Sequence, residues 1–302
     1  MFSKPWRLLG VALLGVAVTA LAACGAPPAG NTTTQPLVIS AIPDQDPDKL
    51  QRLYGLVATY LSNQLGVPVQ YKPVTDYTAS ITGFKVGDLD LVWYGGLTGV
   101  QARLQVPGAQ AIAQRDIDDQ FHSVFIANAA SGITSVADLK GHTFTFGSNS
   151  STSGFLMPAY YMLQSGVQLS ALKGQPGYSG SHDKTIDLVQ AGTFDAGALN
   201  QQVWQSRVAA GTVDTTTVKL IWTTPAFHDY HWVVNPQVEQ RYGAGFIAKI
   251  QQALFSLDAS KPDQKPILDL FGAKKFVPTQ PSNYDQIAAV GAQLGLLPTP
   301  AP

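Results

Sequence analysis

A run of eight residues near the middle of the chain has the composition of an anion-binding turn. It reads Gly-Ser-Asn-Ser-Ser-Thr-Ser-Gly from Gly147 to Gly154 and lies between a strand-like segment, 143–146, and a helical one, 155–164. A turn of this kind exposes hydroxyl and backbone N–H groups at the positive end of a helix dipole. The pattern indicates a site for a small anion, and we call residues 147–154 the cradle.

Three consecutive residues of the cradle, Ser151, Thr152 and Ser153, offer adjacent hydroxyl groups. Hydroxyl and N–H dipoles can bind several oxygens of an anion without placing a full positive charge beside it. The same residues could instead form an N-cap rich in serine or a flexible polar loop. The strand before them and the helix after them favour the anion site.

The composition of the chain narrows the classes of function. Of its 302 residues, 45% are hydrophobic, which is enough to fill two lobes of ordinary domain size. Its 19 basic and 20 acidic side chains give a formal net charge of −1, whereas nucleic-acid binding requires a basic surface. The single cysteine, Cys24, excludes an intrachain disulfide, a cysteine metal cluster and a thiol nucleophile in the folded body.

Residues 1–23 have the pattern of an export signal peptide. Lys4 and Arg7 precede an apolar stretch, 8–22, that is short for a membrane span. The sequence Leu21-Ala22-Ala23-Cys24 resembles the bacterial lipobox, whose cysteine becomes the lipidated first residue of the mature protein. An ordinary signal peptide with an incidental cysteine is the alternative. We expect an exported protein that Cys24 anchors to the membrane through a lipid.

Strand-like and helical segments alternate along the rest of the chain. A tether at 24–36, rich in Ala, Pro, Gly and Thr, precedes them. The first long helix is predicted between a start at Asp46-Pro47 and a stop at Gly66, and 37–41 is predicted as a short apolar strand. This alternation predicts an α/β fold of two lobes, each a mostly parallel sheet flanked by helices, with a ligand cleft between the lobes.

The pattern of strands and helices restarts after Phe121, which indicates the second lobe. The expected bounds are 37–118 with 232–302 for lobe 1, and 119–231 for lobe 2. The chain should then cross between the lobes near 117–123 and again near 225–233. The remainder has too few strands for a sheet of its own and should cover lobe 1, with 297–302 as a disordered tail.

Four segments taken together resemble the phosphate-, phosphite- and phosphonate-binding proteins of ABC importers. The segments begin at Thr75-Asp76-Tyr77, Asp88-Leu89-Asp90, Ser150-Ser151-Thr152 and Gly180-Ser181-His182, in the order of that family. Proteins of this family have the two-lobed fold of periplasmic binding proteins and close around a tetrahedral oxyanion. The resemblance implies a ligand-binding set of Tyr77, Tyr94, Ser151, Thr152, Ser153, His182 and Asp229.

Three members of this set have a physical rationale at their positions in the sequence. Tyr77 and Tyr94 lie at or near predicted strand-to-helix junctions, where a phenolic hydroxyl can donate into the cleft while its ring packs on apolar neighbours. His182 could donate from either ring nitrogen and would bind an anion more strongly if it were protonated. A residue between Ser181 and Asp183 could equally be an ordinary helix start.

Asp229 is unexpected in an anion site, because a carboxylate repels a phosphate-like ligand in a cleft of low dielectric constant. The repulsion is removed if the ligand carries a proton, since the carboxylate can then accept a hydrogen bond from P–OH. Sulfate near neutral pH has no such proton. We therefore expect Asp229 to select against fully deprotonated anions. The alternative is a turn residue at a lobe crossing.

One position departs from the family pattern. Where phosphonate binders of the family carry an acidic residue for the substrate's amino group, this chain has Gln201-Gln202. Without that carboxylate, an aminoalkylphosphonate is a less suitable ligand. Phosphite, phosphate, a small alkylphosphonate and an isosteric anion such as selenate all stay open.

Three other functions compete with oxyanion capture. A hydrolase could use a cradle serine with His182 and Asp229, but the chain has no Gly-x-Ser-x-Gly elbow and no Walker-type lysine. A metal site at His228-Asp229-Tyr230-His231 is disfavoured, because the two imidazoles mostly diverge on an extended segment. An oxyanion sensor that signals to a membrane receptor has the same fold. We expect a monomeric receptor without a cofactor, which passes its ligand to an ABC permease.

Overall fold

The computed structural model describes residues 35–297. The expected signal peptide, Cys24 and most of the tether lie outside the described residues, as do residues 298–302 of the expected tail. The strands are β1 (Leu37–Ala41), β2 (Val69–Tyr71), β3 (Leu91–Tyr94), β4 (Gln110–Arg115), β5 (Ser123–Asn128), β6 (Phe144–Phe146), β7 (Gly177–Tyr178), β8 (Ala196–Asn200), β9 (Val218–Thr223), β10 (His231–Val234) and β11 (Phe276–Val277).

Helices follow most of these strands, as the alternation in the sequence predicts. They are α1 (Pro47–Leu65), α2 (Tyr77–Lys85), α3 (Gly96–Gln105), α4 (Met157–Gln164), α5 (His182–Gln190), α6 (Gln201–Ala209), α7 (Gln237–Tyr242), α8 (Phe246–Phe255), α9 (Lys265–Phe271) and α10 (Asp285–Gln293). Within residues 35–297, no helix combines the length and apolar character that a membrane span requires.

The strands form two sheets, and this confirms the predicted two-lobed α/β fold. The sheet of lobe 1 has the order β11-β4-β10-β3-β1-β2, and the sheet of lobe 2 has the order β7-β6-β8-β5-β9. Both sheets are mixed rather than mostly parallel, since β10 is antiparallel to β3 and β4 and β5 is antiparallel to β8 and β9. The reason is the two crossings: a strand that returns from the other lobe enters its sheet in the direction opposite to the strand that left.

The two crossing segments, 116–122 and 224–230, lie against each other. Phe121 and Phe227 form an antiparallel bridge. The backbone N of each residue lies 3.0 and 2.9 Å, respectively, from the carbonyl oxygen of the other. The ring nitrogen Nδ1 of His122 lies 2.7 Å from the carbonyl oxygen of Thr224. Residues 231–233 were expected in the second crossing, but they belong to β10. The buried run His-Trp-Val-Val fits a central strand, and its register places it between β3 and β4.

Helix α1 shows how the local sequence fixes an element at the cleft. Asp46 is its N-cap, and Oδ1 of Asp46 accepts a hydrogen bond from the N–H of Lys49 at 2.9 Å. Pro47 takes the first helical position, where its missing N–H costs nothing. The helix ends at Gly66, which has the left-handed φ of 69° that favours glycine. The N-terminus of α1 is therefore held at the edge of lobe 1.

Apolar packing fills the interior of each lobe. In lobe 1, Tyr54, Trp93 and Trp232 belong to one core, with Tyr54 and Trp93 each edge-on to the ring of Phe271. In lobe 2, successive side chains of β5 point to opposite faces of the sheet and enter two separate clusters. The C-terminal helices α8 and α9 pack against α1, whereas α10 contacts both α3 and α4.

Gly99 in α3 lies directly against β10 and gives a test of this packing. A Cβ atom at Gly99 would lie 2.4 Å from the ring of His231, which is itself stacked on Tyr284 at a centroid distance of 3.8 Å. Because the buried ring has little room to move, we expect Gly99→Ala to lower the free energy of unfolding by about 1–3 kcal/mol in urea denaturation.

Gly55→Ala is the matched control for this prediction. Gly55 lies in α1, and a Cβ atom there would meet no heavy atom within 4 Å. Alanine should therefore stabilise the protein by roughly 0.5–1 kcal/mol through its higher helix propensity. Equal shifts in the same direction for the two variants would contradict the packing argument.

Candidate functional site

The last three residues of the cradle begin a single π-helical turn that leads into α4. This turn spans Thr152–Leu156, and its wider winding brings the N–H of Leu156 to 2.9 Å from the carbonyl oxygen of Ser151. Isolated π-turns within helices are frequent at functional sites. The N–H of Gly147 donates to the carbonyl oxygen of Gly154 at 2.9 Å, which fixes the two ends of the cradle against each other.

The three hydroxyl side chains of the cradle, Ser151, Thr152 and Ser153, are each no more than 2% exposed. Oγ of Ser151 accepts from the N–H of Gly154 at 2.9 Å, so the N-cap interpretation is correct for this residue. The same hydroxyl keeps its proton for a ligand, because it acts here as an acceptor. The N–H groups of Thr152 and Ser153 belong to the first turn, where no helical acceptor exists.

Tyr77 begins α2 and lies close to the cradle. Its side chain is 1% exposed, and its hydroxyl has no hydrogen-bond partner among the described residues. Burial raises the pKa of Tyr77 well above its ordinary value, as does the charge of Asp44, while the hydroxyl of Ser151 opposes this rise. The phenol therefore keeps its proton and can donate a hydrogen bond to an anion.

Tyr94 is oriented away from this group, contrary to the expectation that its hydroxyl donates into the cleft. The hydroxyl donates instead to the carbonyl oxygen of Ser80 in α2 at 2.8 Å, and the ring is edge-on to Phe84. The alternation of side chains along β3 explains this, because Trp93 takes the other face of the strand. The backbone after β3 approaches the site in its place: a Cβ atom on Gly95 would lie 3.1 Å from Oδ1 of Asp229.

Asp229 lies on the second crossing segment and is 1% exposed. Its Oδ1 accepts from the N–H of Gly96 at 2.9 Å, whereas its Oδ2 is buried without a hydrogen-bond partner in residues 35–297. Burial raises the pKa of Asp229 to about 7, against the opposing effects of the Gly96 N–H and the Thr152 hydroxyl. Asp229 can therefore exchange a proton near neutral pH.

His182 is the first residue of α5, and its ring is buried against the cradle. A Cβ atom on Gly154 would lie 3.1 Å from Cε1 of His182. Burial lowers the pKa of His182 to about 4, so the imidazole is neutral at pH 7. Its Nδ1 accepts from the N–H of Asn200 at 3.3 Å, which leaves the proton on Nε2, 3.3 Å from the hydroxyl of Tyr230. The expected gain from a protonated His182 is therefore absent near neutral pH.

A polar network beside the cradle was missed from the sequence. The hydroxyl of Tyr230 donates to Oδ2 of Asp44 at 2.8 Å and accepts from Nδ2 of Asn200 at 3.1 Å. Burial raises the pKa of Asp44 to about 6, although the hydrogen bond from Tyr230 opposes this. Asp44 and Asn200 lie at or just beyond the carboxyl ends of β1 and β8, where ligands of such sheets commonly bind. That position was the signal that could have identified them.

The buried cation of this region is already paired. Arg115 donates to Oδ2 and Oδ1 of Asp118 at 2.9 and 2.6 Å, and its guanidinium lies 4.9 Å from the ring centre of Tyr230. Because the charge of Arg115 is balanced by Asp118, an anion in the cradle depends on hydroxyl and N–H dipoles for its binding. The side chains around the cradle form one buried polar group, whose members are Ser151, Thr152, Ser153, Tyr77, His182 and Asp229.

The two histidines considered for a metal converge on one aromatic ring. The ring centres of His228 and His231 lie 6.0 and 3.8 Å from the ring centre of Tyr284. His231 is the first residue of β10, and its ring stacks on Tyr284, which directly precedes α10. In the part of the chain that the structure describes, no group of three or more His, Cys, Asp or Glu side chains could hold a metal ion.

Comparison with known proteins agrees with this geometry. Residues 39–284 match the model of a family described as the periplasmic phosphonate substrate-binding protein of ABC transporters. The chain is 46% identical over 265 residues to the probable ABC transporter phosphite-binding protein PhnD1 of Prochlorococcus marinus (strain MIT 9301), which covers 85% of this chain and 89% of the relative. It is 26% identical over 223 residues to the phosphate-import protein PhnD of Mycolicibacterium smegmatis, or 68% of this chain and 70% of the relative.

A solved structure gives the same result for the fold. The structure of PhnD1 from Prochlorococcus marinus in complex with methylphosphonate superposes with a TM-score of 0.85 at 46% identity. The similarity covers 86% of this chain and 98% of that chain.

Proposed function

Because the chain belongs to the family of periplasmic phosphonate substrate-binding proteins of ABC transporters, we propose that it captures a small tetrahedral phosphorus oxyanion and delivers it to a membrane permease. The protein is a substrate-binding component of an importer.

One observation carries the proposal: the buried polar group combines free donors with a free acceptor. The hydroxyl of Tyr77 and Oδ2 of Asp229 are both buried without a hydrogen-bond partner among the described residues. A group that is unpaired and buried costs free energy unless a ligand or a water satisfies it. A monoprotonated phosphite or alkylphosphonate supplies both partners, since its oxygens accept from Tyr77 and the cradle and its P–OH donates to Asp229.

The relatives and the departure at Gln201-Gln202 narrow the ligand further. The Prochlorococcus relative is named for phosphite, and its structure holds methylphosphonate. In this chain Gln202 accepts from Nη1 of Arg115 at 2.6 Å and donates to the carbonyl oxygen of Phe271 at 2.9 Å. The amide is thus committed to protein contacts and offers no carboxylate to an ammonium group. Phosphite and methylphosphonate are the favoured ligands.

Capture without chemistry is supported by the state of His182. A nucleophilic serine would need a base, but both ring nitrogens of His182 are engaged, with the N–H of Asn200 and the hydroxyl of Tyr230. We therefore propose a receptor without enzymatic activity. We further propose that it is a monomer without a cofactor. Its lobes differ by one residue from the expected bounds and comprise 37–118 with 231–302, and 119–230, because His231 belongs to β10 in the sheet of lobe 1. Lipidation at Cys24 would anchor it at the membrane, and a sensor acting on a membrane receptor is the second candidate.

A thermal-shift panel tests the proposed ligand class. The mature protein is melted with phosphite, phosphate, methylphosphonate, aminoethylphosphonate, sulfate and selenate. A ligand that binds the folded state alone raises the melting temperature in proportion to the logarithm of its concentration. We expect the largest shifts with phosphite and methylphosphonate and the smallest with sulfate and aminoethylphosphonate. A shift with sulfate as large as that with phosphite would contradict the proposed role of Asp229.

A further inference from the structure

We propose that Asp183 is a positioning residue for ligand retention, which joins the two lobes at the mouth of the cleft and slows release of the bound anion. The inference rests on the proposed function for the identity of the ligand. Its structural basis is independent, because the contacts that carry it lie outside the cradle. We call Asp183 together with its partner Asp46 the mouth bridge.

The carboxylate of Asp183 bonds to both lobes at once. Its Oδ2 accepts from the backbone N–H of Asp46 in lobe 1 at 3.0 Å, and its Oδ1 accepts from Nη1 of Arg207 in lobe 2 at 2.9 Å. The preceding residue adds a second link, since the N–H of His182 donates to the carbonyl oxygen of Asp44 at 2.9 Å. The start of α5 is therefore bound to the segment before α1 at two consecutive residues.

The N-terminus of α1 is incomplete without this contact. In a capping box, the residue at the third helical position carries a Glu or Gln side chain that accepts from the N–H of the N-cap residue. In α1 that position is Lys49, which cannot accept, and the N-cap residue is Asp46. Asp183 supplies the missing acceptor from the other lobe, and its negative charge lies at the positive end of the α1 dipole.

Opening of the lobes breaks this bond but leaves Asp183 paired with Arg207, because both residues belong to lobe 2. The N–H of Asp46 then returns to water. The mouth bridge thus contributes only when the lobes are in contact, and an interaction with such a preference shifts the balance toward that state. A cleft of about 870 Å³ at this mouth has Asp46 and Asp183 in its lining together with Tyr77 and Ser181, so the mouth bridge borders the opening next to the proposed ligand site.

Asp187 provides a matched control in the same helix. It lies one turn after Asp183, and its Oδ1 accepts from Nη2 of Arg207 at 2.9 Å. Its side chain is 56% exposed, compared with 19% for Asp183. Among the described hydrogen bonds, those of Asp187 stay within lobe 2. Removal of either carboxylate costs Arg207 one partner, but only the change at Asp183 breaks the bond between the lobes.

The experiment compares Asp183→Ala, Asp183→Asn and Asp187→Ala by stopped-flow dissociation of phosphite. We expect release to be about tenfold faster or more in Asp183→Ala, as the loss of one hydrogen bond to a charged group predicts. Asp187→Ala should stay within about twofold of the wild type, as expected for an exposed ion pair. Asp183→Asn keeps an acceptor oxygen and should lie between the two. Equal release rates for the two alanine variants would overturn the proposal.

Small-angle X-ray scattering of the ligand-free proteins separates this inference from the proposed function. If phosphite does not bind the wild-type protein, the proposed ligand is wrong. The radius of gyration still tests whether the mouth bridge holds the two lobes together. A larger radius for Asp183→Ala than for Asp187→Ala supports it. Equal radii for the two variants overturn it.

Discussion

Replacing Ser151 and Thr152 together by alanine should weaken phosphite binding at least about 100-fold, because two charge-assisted hydrogen bonds are lost from a buried site. Both side chains are almost fully buried at the start of the π-helical turn. No buried unpaired cation is available among residues 35–297 to compensate, since Arg115 is bound to Asp118. Isothermal titration calorimetry with phosphite measures this loss directly.

The cap formed by Ser151 requires a control for stability. Its Oγ accepts from the N–H of Gly154, so its removal should cost about 1 kcal/mol of unfolding free energy. Ser135→Ala removes another serine at a helix start in the same lobe: Ser135 is exposed, precedes the short 3-10 helix Val136–Leu139, and donates from Oγ to Oδ2 of Asp138 at 3.0 Å. We expect a similar loss of stability there with unchanged phosphite affinity. If the double variant still binds phosphite but is less stable, Ser151 and Thr152 cap the helix and do not bind the ligand.

Much of the fold could be predicted because its signals are local. The apolar run of β1, the Asp46-Pro47 start of α1 and the glycine at its end each specify structure over a few residues. The cradle belongs to the same class, since a strand, a hydroxyl-rich turn and a helix are contiguous in the sequence. The mixed direction of the sheets depends on where a returning strand is inserted, and no local pattern encodes that choice.

The parts of the site that were missed depend on contacts across the lobes. Tyr230 approaches Asp44 and Asn200 only because the second crossing segment passes between the ends of β1 and β8. Tyr94 is a residue that the sequence placed in the site but whose hydroxyl points elsewhere. Its position at the end of β3 was predicted, yet the face of the strand that carries it decides that its hydroxyl meets Ser80.

Replacing Asp229 by asparagine should reduce the preference for phosphite over sulfate at least about tenfold. The amide oxygen can still accept from the N–H of Gly96, as Oδ1 does in the wild type. The free acceptor Oδ2 becomes an N–H₂ donor, which favours a fully deprotonated anion. Competition calorimetry with phosphite and sulfate measures the ratio. Asp90→Asn, which changes a buried carboxylate paired with Arg241, is the control and should leave the ratio unchanged.

The pH dependence of stability gives an independent test of the same carboxyl group. Burial raises the pKa of Asp229 from 3.8 to about 7, so between about pH 4 and pH 7 the folded protein holds a proton that the unfolded chain has lost. The contribution of Asp229 to the stability of the ligand-free protein should therefore fall as the pH rises through this window. The buried His182 and His231, whose pKa values are lowered, and Asp44, whose pKa is raised, contribute to both proteins. The measured quantity is therefore the difference in unfolding free energy between the wild type and Asp229→Asn, which should shift against the wild type as the pH rises from about 4 to 7.

The affinity for phosphite should also depend on the protonation state of Asp229. Above about pH 7 both Asp229 and the ligand lose their protons, and two negative charges in a buried site repel each other, so wild-type affinity should fall there. The asparagine variant carries no charge at this position, and its affinity should fall less between pH 7 and pH 9. Parallel pH profiles for the two proteins would show that Asp229 does not contact the ionising ligand. If the carboxylate is in contact with the ligand, its replacement by a neutral amide must change the pH dependence of the affinity.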